Sequence, residues 1–472
     1  MSGSLSQRVC AGALAGILAL GCAGAGSSQA PLPSGRELAA DPRAAPAGPA
    51  DGGTPGADAE AVVNEALQVV AKVRELPPRG KVRGVVITRE EMLARVKKEI
   101  QSDVPADVMQ ASAELLFALG TVEESFDYEA SVLKLMQAQL LGFYDPKLKT
   151  MFIGGDVGAS MEDATLYHEL VHALQDQHYD LATLLKFAPD RGDFLSALHA
   201  LAEGDATSAM MDAMFAERGI RAIDLPESLL DFQTMMGQAF AGVEGVPSII
   251  TRSLLAPYFD GLTFTHFLRK KAGWAEVDRA WRNLPASTEQ VLHPAKFLAR
   301  EAPEVIDIPD APPGFGTKVW YHDVMGEQSL RILFEEWMPA RSASTSASDW
   351  AGDRIAVFRE GERRVVAWRL RFDTELATAR ALAAFGRGAL LPEGVPAVRK
   401  PETVTVEAAE RAVKPGQLCR ARHSRGPFAV AKRGRDLVVV LGPYLRNSGG
   451  VRADGDCVSA NQWAQKLLAV RP

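Results

Sequence analysis

Four cysteines in 472 residues are too few for a disulfide-stapled scaffold, and no C-x-x-C spacing offers a thiolate metal clamp. A basic excess is missing too. The 52 lysines and arginines face 59 aspartates and glutamates, a net charge of −7 that argues against nucleic acid as a partner. The apolar run Val9–Leu20 is shorter than the roughly 20 residues a mature transmembrane helix needs. What the chain does have is size: 47% hydrophobic content and 472 residues support a real core and more than one small domain.

Residues 1–22 read as a targeting segment, with Arg8 as the only charge, then the apolar run, then Gly21-Cys22. This ending resembles a bacterial lipoprotein signal, in which the cysteine is lipidated and becomes the new N-terminus. The resemblance implies an exported protein of the cell envelope, periplasmic or outer-membrane, held by lipid at Cys22. Ala19 departs from it, because such signals usually place leucine there and Leu18 lies one residue earlier. The alternative is an ordinary secretory signal cleaved at Ala23-Gly24-Ala25. Residues 23–58 are rich in Ala, Pro, Gly, Ser and Asp and read as a flexible tether. Export would favour a disulfide between the remaining cysteines, Cys419 and Cys457, over two free buried thiols.

The pattern predicts an α+β chain in two folded parts, a mostly helical one over 59–340 and a smaller α+β one over 341–472. Helical periodicity runs over Ala59–Leu76, Ala106–Leu119 and Phe126–Leu141, and Thr88-Arg89-Glu90-Glu91 is a capping box. Leu141–Tyr144 and Thr150–Ile153 flank Asp145-Pro146-Lys147 as a hairpin, which could lie along a cleft and pair with an extended peptide or could only cover the core. Helices follow over Asp193–Arg218 and Gly326–Trp337, and a boundary is expected in the serine-rich stretch within Met338–Asp349. Beyond it, two units repeat one order. Strands Ile355–Phe358 and Val365–Phe372 precede a helix at Thr374–Phe385, and strands Phe428–Lys432 and Asp436–Leu441 precede one at Ser459–Val470.

The stretch Met161–Tyr179 contains H-E-x-x-H as His168, Glu169 and His172. On a helix the two imidazoles sit one turn apart on one face and can grip one zinc ion, while Glu169 reaches a water on that metal. Ser160 with Asp163 gives a capping signal, and Leu166, Leu170 and Leu174 form an apolar stripe. A catalytic zinc usually takes a third protein ligand. His178 has the spacing of H-E-x-x-H-x-x-G-x-x-H, but Gln175 stands where that pattern needs its chain-turning glycine. Glu203, in Ala202-Glu203-Gly204-Asp205-Ala206 on the next helix, is a second candidate, and His199 one turn earlier is a third. Gly204 costs that helix about 1 kcal/mol relative to alanine, which suggests a position of close approach.

His168-Glu169-x-x-His172 with the downstream Glu203-Gly204 resembles the gluzincin branch of the zincin-like metallopeptidases. The runs H-E-L-V-H-A-L-Q-D-Q-H-Y, A-E-G-D-A-T and S-T-E-Q-V-L-H-P resemble a group of bacterial exported zincin-like proteins over roughly residues 120–335. The resemblance implies a zincin-like fold, one catalytic zinc held by His168, His172 and Glu203, and Glu169 as the base in peptide-bond hydrolysis. The better-studied gluzincins often carry an acidic residue four after the ligand glutamate. Here that position is Thr207, with Asp205 nearby. The oxyanion needs a further donor, for which His293 is the first candidate, with Tyr258 and His322 behind it. The rival reading is a non-catalytic zincin-fold lipoprotein that binds or scaffolds.

Overall fold

Thr88 shows how a local signal becomes structure. Its hydroxyl accepts from the Glu91 N–H while the Glu91 carboxylate accepts from the Thr88 N–H, and this reciprocal cap opens the helix Arg89–Asp103. Met92, Val96 and Ile100 then recur at four-residue spacing and are buried. The computed structural model describes residues 55–139, 141–155, 159–225, 243–309, 318–390 and 417–470. The targeting segment, Cys22 and residues 23–54 lie outside the described residues. The end of the expected tether does not: the first helix is Pro55–Arg74, because proline suits a first turn whose N–H groups have no helical partner. Among the described residues no helix is long and apolar enough to cross a membrane.

The described chain is α+β. Its first sheet contains β1 (Arg83–Ile87), β2 (Gly142–Asp145) and β3 (Thr150–Gly154). The hairpin β2–β3 is antiparallel as the turn chemistry predicts, but β1 adds a parallel strand on the far side of β3. Local pattern reading misses β1, because Arg83 pairs with Thr150 across a long crossover. The order β1-β3-β2 leaves β2 at an edge.

Three helices frame the candidate site: Ala159–Tyr179 with His168, Gly192–Met214 with Glu203, and Ser248–Ala272 with Tyr258. The last two cross at a glycine pair. A Cβ on Gly204 would lie 2.0 Å from the Gly261 carbonyl oxygen, and one on Gly261 would lie 1.9 Å from that of Ala200. Only glycine on both helices permits this approach. Arg74 fixes the first helix to the same bundle. It is fully buried, pairs with Asp205 at 2.5 Å and Asp278 at 2.7 Å, and lies over the Trp274 ring. Ser287-Thr288-Glu289-Gln290 is also buried. Ser287 caps a short helix, and the Thr288 N–H donates to Asp193 at 3.0 Å near the start of the Glu203 helix.

The second sheet has seven strands: β4 (Val319–Asp323), β5 (Trp350–Glu360), β6 (Arg363–Phe372), β7 (Gln417–Arg420), β8 (Phe428–Arg433), β9 (Asp436–Asn447) and β10 (Gly450–Ala453). They run in the order β4-β5-β6-β9-β8-β7, with β10 paired to β9. The two repeated hairpins thus join one sheet. Ile355, Val357 and Val366 share a cluster with Phe385 of the helix Glu375–Leu390, while Ala356, Phe358 and Val365 pack with Trp463 of the helix Cys457–Ala469. Alternate side chains of each strand therefore serve opposite faces, one packed on Cys457–Ala469 and the other on Glu375–Leu390 together with helices of the helical half.

The serine-rich stretch where a boundary is expected has regular structure. It forms the helix Ala340–Ala347, in which Ala343 and Ala347 are fully buried. β4, which precedes it in the chain, pairs with β5. Helical half and sheet also share a core that includes Phe117, Trp337, Trp368 and Phe428, and the Tyr444 hydroxyl donates to Glu114 at 2.6 Å. A disulfide joins Cys419 on β7 to Cys457 at the start of the last helix.

Candidate metal centre

His168 and His172 lie one turn apart on the helix Ala159–Tyr179, and both are buried, as is Glu169 between them. Leu170 and Leu174 are fully buried on the same helix, so packing on neighbouring helices holds it in place. Glu203 arrives from the crossing helix. His168 Nε2 lies 3.0 Å from Glu203 Oε2 and 3.1 Å from His172 Nε2, and His172 Nε2 lies 3.6 Å from the same Glu203 oxygen. Three ligands about 2.0–2.1 Å from a tetrahedral zinc would sit about 3.3 Å from one another. The spacing of these donors fits such an ion, and the donor set of two imidazoles and one carboxylate suits zinc.

The other two candidates for third ligand go elsewhere. The helix continues through Gln175, which carries His178 away from the cluster to Pro77, whose carbonyl oxygen is 2.7 Å from His178 Nε2. His199 sits one turn before Glu203 and is buried, but it is not one of the three converging groups. Burial pushes its pKa down to about 4 against the raising effect of Glu203.

Two contacts hold the site from the side of the first sheet. The Tyr144 N–H donates to Glu169 Oε2 at 2.9 Å, and the Tyr144 hydroxyl donates to Asp176 at 2.7 Å. Glu169 and Asp176 are seven residues apart and so share a helix face, along which Tyr144 lies. The register explains why this amide is available. Gly154 N–H donates to Leu141 C=O at 2.9 Å, which makes Leu141–Gly154 a hydrogen-bonded pair. By alternation Phe143 bonds inward to β3, while Gly142 and Tyr144 turn their backbone groups to the outer edge.

The electrostatics of the three donors are coupled. Burial lowers the pKa of His168, and the hydrogen bond to Glu203 opposes it without reversing it. At His172 burial also lowers the pKa, but the charge of Glu203 and its hydrogen bond outweigh burial and push it up to about 9. Glu203 is held well below the usual carboxylate range: burial would raise it, and the two histidines overcome burial. Carboxylate and imidazoles thus shift one another in opposite directions. A divalent cation at the same point would compete with protons for these atoms.

Of the oxyanion candidates, Tyr258 is beside the site, its ring stacked 5.8 Å from that of His168. His293 pairs instead with Glu327 at 2.8 Å, which raises its pKa, and His322 pairs with Asp190 at 2.5 Å. Neither is brought to the three donors by these contacts. Asp205 also points elsewhere, to Arg74 and to the Trp281 indole N–H at 2.8 Å. Sequence reasoning missed Tyr144 and the part played by Gln175. Gln175 carried a usable signal, since it lies three residues after His172 on one helix; Tyr144 carried none, because its contacts cross between elements.

The described residues contain one more group of three metal-capable side chains, Glu289, Glu301 and Asp373. Lys296 donates to all three, at 2.7, 2.6 and 2.5 Å.

One family matches the chain, a domain of unknown function (DUF8575), over residues 318–452. That span covers β4 through most of β10 and leaves the three-donor cluster outside it. Comparison with curated proteins and with solved structures finds no match.

Proposed function

We propose that this chain is an exported zinc-dependent peptidase whose helical half is a zincin-like metallopeptidase domain of the gluzincin kind. The observation that carries the reading is the convergence of His168, His172 and Glu203 within 3.0–3.6 Å, with Glu169 of the same H-E-x-x-H at their side. Zinc there would supply Lewis acidity, polarising a carbonyl and bringing the pKa of a water toward about 7. Glu169 takes a proton from the attacking water and delivers it to the leaving amine. The Tyr144 N–H donates to Glu169 Oε2, which limits the carboxylate's rotation. Tyr258, stacked on His168, is the donor candidate for the developing oxyanion.

A peptide substrate is supported by the β2 edge. By the alternation of the ladder Gly142 has its N–H and C=O on the outer side of this buried strand, two residues before the Tyr144 that contacts Glu169, and an extended chain added at that edge would run toward the base. Export rests on residues 1–22, with lipid attachment proposed at Cys22.

Elemental analysis combined with cleavage of unfolded casein tests the proposal. Wild-type chain and Glu169→Gln should each hold one zinc, and only the wild type should cleave, with a loss of at least about a thousandfold in the variant. Equal cleavage by Glu169→Gln would sink the mechanism. Bound zinc with no cleavage by either would point to the scaffold reading.

A further inference from the structure

Gln175 occupies the position where a related motif would have glycine, and it is fully buried. Its side chain makes two hydrogen bonds that together permit one reading. The Ala202 carbonyl oxygen, 3.0 Å away, can only accept, so the Gln175 amide nitrogen faces it. That choice turns the amide oxygen, Oε1, to His172 Nδ1 at 2.8 Å. An amide oxygen can only accept as well, so Nδ1 must carry a proton. With Nδ1 protonated, the lone pair of the neutral ring is at Nε2, the nitrogen 3.1 Å from His168 Nε2 and 3.6 Å from Glu203. Ala202 is the residue before Glu203, so the same side chain ties the ring of one donor to the backbone that carries another.

We propose that Gln175 is a positioning residue that holds His172 in its metal-ligating tautomer and locks that ring to the Glu203 helix. The inference rests on the reading of His168, His172 and Glu203 as a metal centre, and it adds a residue the motif does not contain. A hydrogen bond to the distal nitrogen of a ligating histidine fixes the ring and raises its basicity, and loss of such a partner commonly costs ten- to a hundredfold in metal affinity. Glycine could do none of this. Where glycine would turn the chain to bring back a third histidine, glutamine keeps the helix going and recruits the neighbouring helix.

The test uses the full chain with Gln175→Leu and Gln175→Glu. Nitrogen NMR of the metal-free wild type, at a pH where the His172 ring is neutral, should show the proton on Nδ1. In Gln175→Leu it should move toward Nε2, and zinc affinity measured by chelator competition should fall about ten- to a hundredfold. Gln175→Glu keeps the acceptor, replaces the bond to Ala202 with a carboxylate charge, and should keep the Nδ1 proton and bind zinc within about tenfold of wild type. A wild-type ring protonated at Nε2 overturns the proposal, as does a Gln175→Leu protein with unchanged tautomer and zinc affinity. The wild-type tautomer decides the matter even if Gln175→Leu does not fold. If the wild type takes up no zinc, the metal-centre reading fails separately, because the tautomer is read without metal.

Discussion

The His168–His172–Glu203 cluster and the Glu289–Glu301–Asp373 cluster each gather three metal-capable side chains, but they balance charge in different ways. In the second, the ammonium of Lys296 sits among three carboxylates and donates to each. Glu301 and Asp373 are partly open to water, so a flexible lysine can enter and be held there. In the first, all three groups are buried, and the carboxylate faces two imidazoles. An imidazole can answer a carboxylate by taking a proton or by sharing a Lewis acid with it. Geometry alone would rank both clusters as metal sites. The identity of the donors separates them, because three carboxylates around an ammonium already have their cation.

Glu203→Ala should lower zinc affinity by more than about a hundredfold, beyond the usual cost of losing an indirect partner, as read by chelator competition. Retained affinity would mean that the three donors do not act as one site. The next largest effect is expected from Gly204→Ala, which adds one methyl group where the Gly261 carbonyl lies 2.0 Å away. The helices must separate, so stability should fall by about 3 kcal/mol in urea denaturation and zinc affinity should fall with it. Unchanged zinc binding would show that Glu203 is not positioned by this crossing.

Lys296→Met should have the smallest effect and should leave zinc binding as in the wild type. It strands the buried Glu289, but two partners can turn to water, so a loss of about 2 kcal/mol is expected. The loss should depend on pH. Burial raises the Glu289 pKa to about 7 against the opposing pull of Lys296. A raised carboxyl contributes stability below its unfolded value of 4.5 and loses it as pH rises through about 7. Without Lys296 the penalty should therefore be smaller at pH 5 than at pH 8 by thermal melting. A zinc-binding defect in this variant would erase the distinction between the clusters.

What could be read from the sequence divides by range. The Thr88–Glu91 cap, the helix Ala106–Leu119 and the hairpin β2–β3 depend on residues a few positions apart, and their side chains meet through local geometry. Gly204 was legible as an oddity, a glycine inside a strong helix, and its partner Gly261 gives the reason. The parallel pairing of β1 was not legible, because it lies across a crossover. The helix Ala340–Ala347 was not legible for a related reason: the low apolar content of the stretch reads as a boundary, yet two alanines suffice to bury one face of it. His293 and His322 were singled out for their residue type, and their partners Glu327 and Asp190 come from distant parts of the chain.

The sequence alone put His168 and His172 on one face of any helix that includes them, because four residues are close to one turn of 3.6. It also determined that Glu203 precedes a glycine on a following helix. That Glu203 converges on the two imidazoles while His178 and His199 do not comes from the fold, since it depends on how closely two helices cross. Tertiary structure likewise gave Gln175 its Ala202 partner and Tyr144 both of its partners on the metal helix. A hydrogen bond needs donor and acceptor within about 3 Å, and spacing along a chain fixes that distance only within one element.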